Sequence, residues 1–195
     1  MRIVLASKSP RRREILNNIV LKFDVIESNA EEKIEASDTP DEIVKKLAYR
    51  KAEKVSESLE DGALVIGADT IVVLSSRIMG KPKDEEQAFD MLSALSGVWH
   101  KVYTGLCIIN TSSGACRSDY EVTEVKMGKL SSEDIRAYIR SGEPMDKAGS
   151  YAIQGLGSLL VERIDGCYYN VVGMPVFKLS QMLERFGVHL LSSRG

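Results

Sequence analysis

Ile3-Val4-Leu5-Ala6-Ser7-Lys8-Ser9-Pro10-Arg11-Arg12-Arg13-Glu14-Ile15-Leu16 decides the fold class. Ile3–Ala6 is a short apolar run that reads as a buried strand, and Ser7 to Pro10 break it. Pro10 suits the first helical position and Ser9 the N-cap, which predicts a helix from Arg11 to Asn18 with Ile15, Leu16 and Ile19 facing inward. Outward from this strand-turn-helix the alternation continues. Phe23–Ile26 reads as a strand. Thr39-Pro40-Asp41-Glu42 starts a helix in which Ile43, Val44, Leu47, Ala48 and Val55 recur at helical spacing. Ala63–Ile66 reads as a strand interrupted by Gly67-Ala68-Asp69 and resumed at Ile71–Leu74, and Asp84–Leu95 reads as a helix. Trp99–Asn110 and Ala115–Lys126 read as long strands joined by a hairpin at Thr111-Ser112-Ser113-Gly114. A capped helix follows at Ser131–Ser141, stopped by Gly142. Strand-like segments at Tyr151–Ile153 and Ser158–Ile164, a turn at Asp165-Gly166 and a last helix from Pro175 to about Arg185 complete the chain. Early alternation and a central hairpin together predict an α/β protein with a mixed sheet.

The chain has 195 residues, so one domain spanning 1–195 is expected. Hydrophobic residues at 44% and charged residues at 28% exclude wholesale disorder. Lys plus Arg number 26 and Asp plus Glu 28, a net charge of 26 − 28 = −2. A protein that coats DNA or anionic membrane is usually basic, so neither is expected as the main ligand. Cys107, Cys116 and Cys167 are widely spaced and odd in number, which argues against a disulfide framework. His100 and His189 are the only histidines, too few for a His-based triad or metal site. No apolar run approaches the roughly 20 residues of a membrane span, and the N-terminus lacks a secretory pattern. The expected location is the cytoplasm.

Arg11, Arg12 and Arg13 stand in the first turn of a helix, where each cation costs on the order of 0.3–1 kcal/mol against the helix dipole. Local rules broken without structural gain mark function. One explanation is a bound polyanion, cradled by free N–H groups, serine hydroxyls and guanidinium forks. The other is a solvated basic surface paired with Glu14 or an acidic loop.

Asp69 interrupts an apolar stretch, and a carboxylate there is costly unless paired, protonated or bound to metal. With Glu31 and Glu32 it could hold Mg²⁺, which takes carboxylates, water and phosphate oxygens. The alternatives are a turn aspartate and a solvated acidic loop. Lys81, between Gly80 and Pro82, sits on a rigid bend that can aim its ammonium into a cleft; Lys51 is a second candidate. The late Gly-rich stretch from Asp146 to Gly157 lacks P-loop spacing.

Leu5-Ala6-Ser7-Lys8-Ser9-Pro10-Arg11-Arg12, Gly67-Ala68-Asp69-Thr70, Gly80-Lys81-Pro82, Asp146-Lys147-Ala148-Gly149 and Val172-Gly173-Met174-Pro175 together resemble the Maf family of nucleoside triphosphate pyrophosphatases. The resemblance implies a two-lobed α/β fold with a mixed twisted sheet flanked by helices, related to inosine triphosphate pyrophosphatases, with the active site in a cleft between lobes. It implies hydrolysis of a nucleoside triphosphate to monophosphate and pyrophosphate with a divalent metal, Mg²⁺ or alternatively Mn²⁺, and a homodimer. Asp69 would be the proton acceptor and a metal ligand alongside Glu31 or Glu32. Ser7, Arg12, Lys51 and Lys81 would contact phosphates, with Arg13 alongside them. The chemistry agrees: attack at the α-phosphorus needs an activated water and neutralisation of the departing pyrophosphate.

Arg11, Thr70 and Gln154 match positions that separate the family's specificity branches. Tyr151-Ala152-Ile153-Gln154-Gly155 resembles the branch acting on dTTP and UTP. An amide offers a donor and an acceptor, matching O4 and N3–H of thymine or uracil. The 7-methyl-GTP branch carries a carboxylate there, and a tryptophan where this chain has Arg11, able to stack on a cationic base. The pyrimidine branch, in a role of cleansing the nucleotide pool, is therefore expected. The alternatives are the 7-methyl-GTP activity and a non-enzymatic septum-formation regulator. Single-strand binding through Arg11–Arg13 lacks the stacking aromatics it would need.

Overall fold

The computed structural model describes residues 1–191 apart from Val20, Leu21, Glu32, Ala36, Glu60 and Asp61. In chain order its elements are β1 (Arg2–Ala6), α1 (Pro10–Asn18), β2 (Asp24–Ile26), α2 (Pro40–Ser56), β3 (Ala63–Leu74), β4 (Arg77–Met79) and α3 (Glu85–Leu95). Then come β5 (Trp99–Asn110), β6 (Cys116–Met127), α4 (Ser132–Arg140), β7 (Val161–Asp165), α5 (Tyr168–Val172) and α6 (Val176–Glu184). The strands follow the order β2-β1-β3-β5-β6-β7, with β4 paired to β3, so the fold is a mixed sheet with helices. The chain forms two compact units. The first comprises Met1–Asp69, Thr104–Glu121 and Gly173–Gly195; the second comprises Thr70–Tyr103 and Val122–Val172.

In the first unit β1 runs parallel to both β2 and β3, with Val4 opposite Asp24 and Val65. The strand-to-helix turn is built as expected: the Ser9 side chain accepts from the Arg12 N–H and Pro10 opens α1. Thr39 and Glu42 form a capping box for α2. Val4, Ala6, Ala48, Ala52, Val55, Ala63, Val65, Cys107 and Ile109 form one buried cluster of this unit. Its small residues let helix and sheet come close. A Cβ on Gly67 would lie 2.1 Å from the Ala48 carbonyl oxygen, and one on Gly105 2.2 Å from that of Val44.

In the second unit β4 is antiparallel to β3, with Val72 opposite Met79, and β7 is antiparallel to β6, with Val125 opposite Ile164. Helices α3 and α4 are capped by Asp84 and Ser131. Val72, Leu92, Leu95, Val125, Met127 and Ile135 are among the residues of its core. His100 and Tyr151 share a buried hydrogen bond of 2.6 Å, and burial pushes the His100 imidazole down to about 4, so it is neutral at ordinary pH.

Two expectations are corrected. Gly67-Ala68-Asp69 does not interrupt a strand: β3 is continuous over twelve residues. Gly67 stays in the ladder opposite Ala6, and the Asp69 carboxylate is tolerated because a lysine meets it. Tyr151–Ile153 is not a strand, and Ser158–Ile164 is only partly one. A 3₁₀ turn fills Gly155–Leu159, and strand structure begins at Val161. There the N–H groups of Ala152, Leu156 and Gly157 go to side chains of Tyr138 and Glu143 instead of to a ladder.

Candidate functional site

The three arginines of α1 are not one cluster. Successive helical residues point about 100° apart, so they face different ways. Arg13 is exposed and Arg11 half-buried, while Arg12 is only 9% exposed. The Arg12 guanidinium is a clasp. Its Nε donates to the Gly173 carbonyl at 2.8 Å, and its Nη1 donates to the Ala68 carbonyl at 2.9 Å and to Ser7 Oγ at 3.4 Å. Three of the short motifs are thereby tied to one side chain: the turn before α1, the end of β3 in this unit and the segment before α6. Ser7 is itself buried and accepts from the Ser9 N–H.

The carbonyl that Arg12 holds belongs to the residue before Asp69. Asp69 is 8% exposed, and the Lys51 ammonium donates to its Oδ1. Lys51 reaches it because α2 lies directly on β3 at Gly67, with Ala48 and Ala52 flanking the lysine in sequence. The space left by the absent Gly67 side chain is filled by this helix. Gly67→Ala is expected to force the helix away, at a cost of about 1–3 kcal/mol. A thermal melt lowered by several degrees, with a larger fractional loss of activity than of folded protein, would verify it; an unchanged melt would contradict it.

Thr70, Lys81 and Gln154 lie in the second unit. Thr70 and Gln154 are half-buried and Lys81 is exposed. The bend carrying Lys81 is pinned: the Gly149 N–H donates to the Gly80 carbonyl at 3.0 Å. Gly149 has φ of 68° and packs on Val72, where a Cβ would come within 3.1 Å of the valine side chain. Lys147 beside it donates to the Glu143 carbonyl and to Asp146, both at 2.6 Å.

The acidic loop is described only in part. Glu31 is exposed and opens, with Lys33, Arg50, Glu53, Lys54 and Glu57, on a cavity of about 290 Å³ whose lining does not include Asp69. Glu32 lies outside the described residues. Among the described residues no three His, Cys, Asp or Glu side chains gather as a metal cage. Glu143 was not singled out from the sequence at all. It sits in an unremarkable Gly-Glu-Pro at the end of α4, and only the folded chain shows its carboxylate under the Gly155–Leu159 turn.

Compared with solved structures, the fold is similar to that of a HAM1 protein from Coxiella burnetii, at 16% identity and a TM-score of 0.50, covering 95% of this chain and 99% of that one. The class is thus a mixed α/β protein whose fold is like that of the HAM1 protein. The family model described as Maf-like protein matches residues 2–186, and the chain belongs to the Maf family. It is 51% identical over 192 residues to a dTTP/UTP pyrophosphatase of Clostridium perfringens (strain SM101 / Type A) and 53% identical to one of Thermoanaerobacter sp. (strain X514). Each alignment covers 98% of this chain and all of the relative. Among the described residues no helix is long and apolar enough to cross a membrane.

Proposed function

We infer that this chain hydrolyses dTTP and UTP to the monophosphate and pyrophosphate. The observation that carries the reading is the Lys51–Asp69 pair, set against the backbone that Arg12 clasps. The full-length identity to relatives named for that activity supports it.

Asp69 accepts a proton from water as the water oxygen bonds to the α-phosphorus. The bond from that phosphorus to the bridging oxygen breaks, and pyrophosphate leaves with the electron pair. Lys51 meets the carboxylate when no anion is near. A triphosphate competes for the same ammonium, so substrate binding frees the base and neutralises the leaving group in one movement. Ser7, Arg13 and Lys81 add phosphate contacts. The main work of Arg12 is to hold the Ala68 carbonyl, and so the strand that presents Asp69.

A divalent cation fits here as one carried on the triphosphate, with Asp69 as its protein ligand, because such an ion needs only one or two carboxylates besides phosphate oxygens and water. When bound it screens phosphate charge and makes water more acidic. Mg²⁺ is the ion proposed.

Gln154 reads the base, with Arg11 and Thr70 as further specificity positions. The 7-methyl-GTP alternative is disfavoured by Gln154 and Arg11 themselves. Gln154→Glu is expected to lower kcat/KM for dTTP and UTP by about ten- to a hundredfold, since a carboxylate cannot donate to O4. Kinetics with a panel of nucleoside triphosphates, scoring pyrophosphate against orthophosphate, test both the reaction and the base. Orthophosphate as product would reject the reaction, and unchanged dTTP kinetics in the variant would reject the reader.

A further inference from the structure

A glutamine amide can read thymine or cytosine. Turned one way it offers a donor to O4 and an acceptor to N3–H; turned over, it satisfies N3 and the N4 amine of cytosine. Selectivity therefore depends on what holds Gln154 in one pose, and the fold supplies a fastening directly after it. The turn Gly155–Leu159 begins at Gln154. Its Leu156 N–H donates to Glu143 Oε2 and its Gly157 N–H to Oε1, both at 3.0 Å. Tyr138 donates its hydroxyl proton to the same Oε1 at 2.9 Å.

Both glycines leave room that this arrangement uses, Gly155 against the carboxylate itself and Gly157 against the Tyr138 hydroxyl and the Ala152 backbone. Gly155 has φ of 64°, and a Cβ on it would come within 2.7 Å of Glu143 Oε2. A Cβ on Gly157 would meet the Ala152 carbonyl oxygen at 2.2 Å and the Tyr138 hydroxyl at 2.7 Å. Burial pushes the Glu143 carboxyl up, but the Gly157 and Leu156 N–H groups, the Tyr138 hydroxyl and the nearby Lys147 outweigh it and hold it below the usual carboxylate range. Glu143 is an anion throughout the neutral range, accepting from every donor aimed at it. A side chain that served only to end α4 would not need both oxygens engaged by a turn thirteen and fourteen residues further on.

We propose that Glu143 is the positioning residue that fixes the pose of Gln154 and thereby sets discrimination between thymine or uracil and cytosine. This rests on the reading of Gln154 as the base contact. Glu143→Gln keeps the shape but turns an N–H₂ toward a backbone N–H, so one end of the turn comes loose.

The test is kcat/KM for dTTP and dCTP in purified wild-type, Glu143→Gln and Gln154→Ala proteins, with KM and kcat separated. Glu143→Gln is expected to lower the dTTP-to-dCTP ratio about tenfold, through KM, while kcat stays within about threefold. A general loss of structure would lower both substrates together and leave the ratio alone. If Glu143→Gln keeps the wild-type ratio while Gln154→Ala collapses it, the positioning role is wrong and the base contact stands. If Gln154→Ala keeps the ratio, the base contact is wrong and the role of Glu143 falls with it. Should Glu143→Gln fail to fold, Tyr138→Phe decides. It removes one hydrogen bond to the same oxygen together with the acceptor of the Ala152 N–H; a fall in the ratio of about threefold that Ala152→Pro, which lacks that N–H, does not reproduce supports the proposal, whereas an unchanged ratio overturns it.

Discussion

Asp69→Asn is expected to reduce pyrophosphate release from dTTP by a factor of about 10³ or more while leaving the fold intact. The amide has the size and shape of the carboxylate and stays within reach of Lys51, but it cannot take a proton from water. The Lys51–Asp69 ion pair is lost, yet the ammonium keeps an acceptor in the amide oxygen, so no bare buried charge results. Circular dichroism and the thermal melt should therefore be close to wild type. Single-turnover measurement with excess enzyme separates chemistry from substrate binding. Retained turnover would remove Asp69 from the role of base and leave the Lys51 pair as structure only.

Arg12→Ala is expected to destabilise the first unit as strongly as truncation of a buried core residue. The guanidinium is nearly buried and satisfies the carbonyls of Gly173 and Ala68, which lie 161 and 56 residues away in sequence. Removing it strands those acceptors at about 1–3 kcal/mol each. The expected loss is about 2–5 kcal/mol in urea unfolding, on top of a collapse of activity. Arg12→Lys should recover little, because an ammonium has no planar fork to reach both carbonyls at once. Arg13→Ala, by contrast, should leave the melt within about 0.5 kcal/mol of wild type, since its side chain is exposed. A stability equal to wild type in Arg12→Ala would mean that the three motifs are joined by something other than this side chain.

The arginine run shows what was legible in the sequence. Three cations at a helix start break a local rule, and that signal is real. The rule applies to charge near the helix end, however, and is blind to which of three adjacent side chains turns inward. Only the 100° step of the formed helix gives Arg12 the buried position and leaves Arg13 in solvent. The apolar periods of α2 and the paired strands β5 and β6 were readable because burial of one face leaves its rhythm in the sequence. The Tyr151–Ile164 region misled for the opposite reason. Its apolar residues fit strands, but a carboxylate from another segment takes its N–H groups, and no spacing rule records a partner thirteen residues away. No spacing in the sequence records that helix α2 packs onto Gly67. The proximity of Lys51 to Asp69 follows from that contact.

The path of the chain has a consequence for how the protein can be taken apart. The backbone passes from one unit to the other four times, at 69/70, 103/104, 121/122 and 172/173. Three of those passages fall inside β3, β5 and β6, so a strand that begins in one unit ends in the other. No single cut of the gene yields either half as an uninterrupted polypeptide. Splitting the reading frame at any one position leaves at least one fragment that carries parts of both units, so neither unit can be inherited as a gene segment of its own.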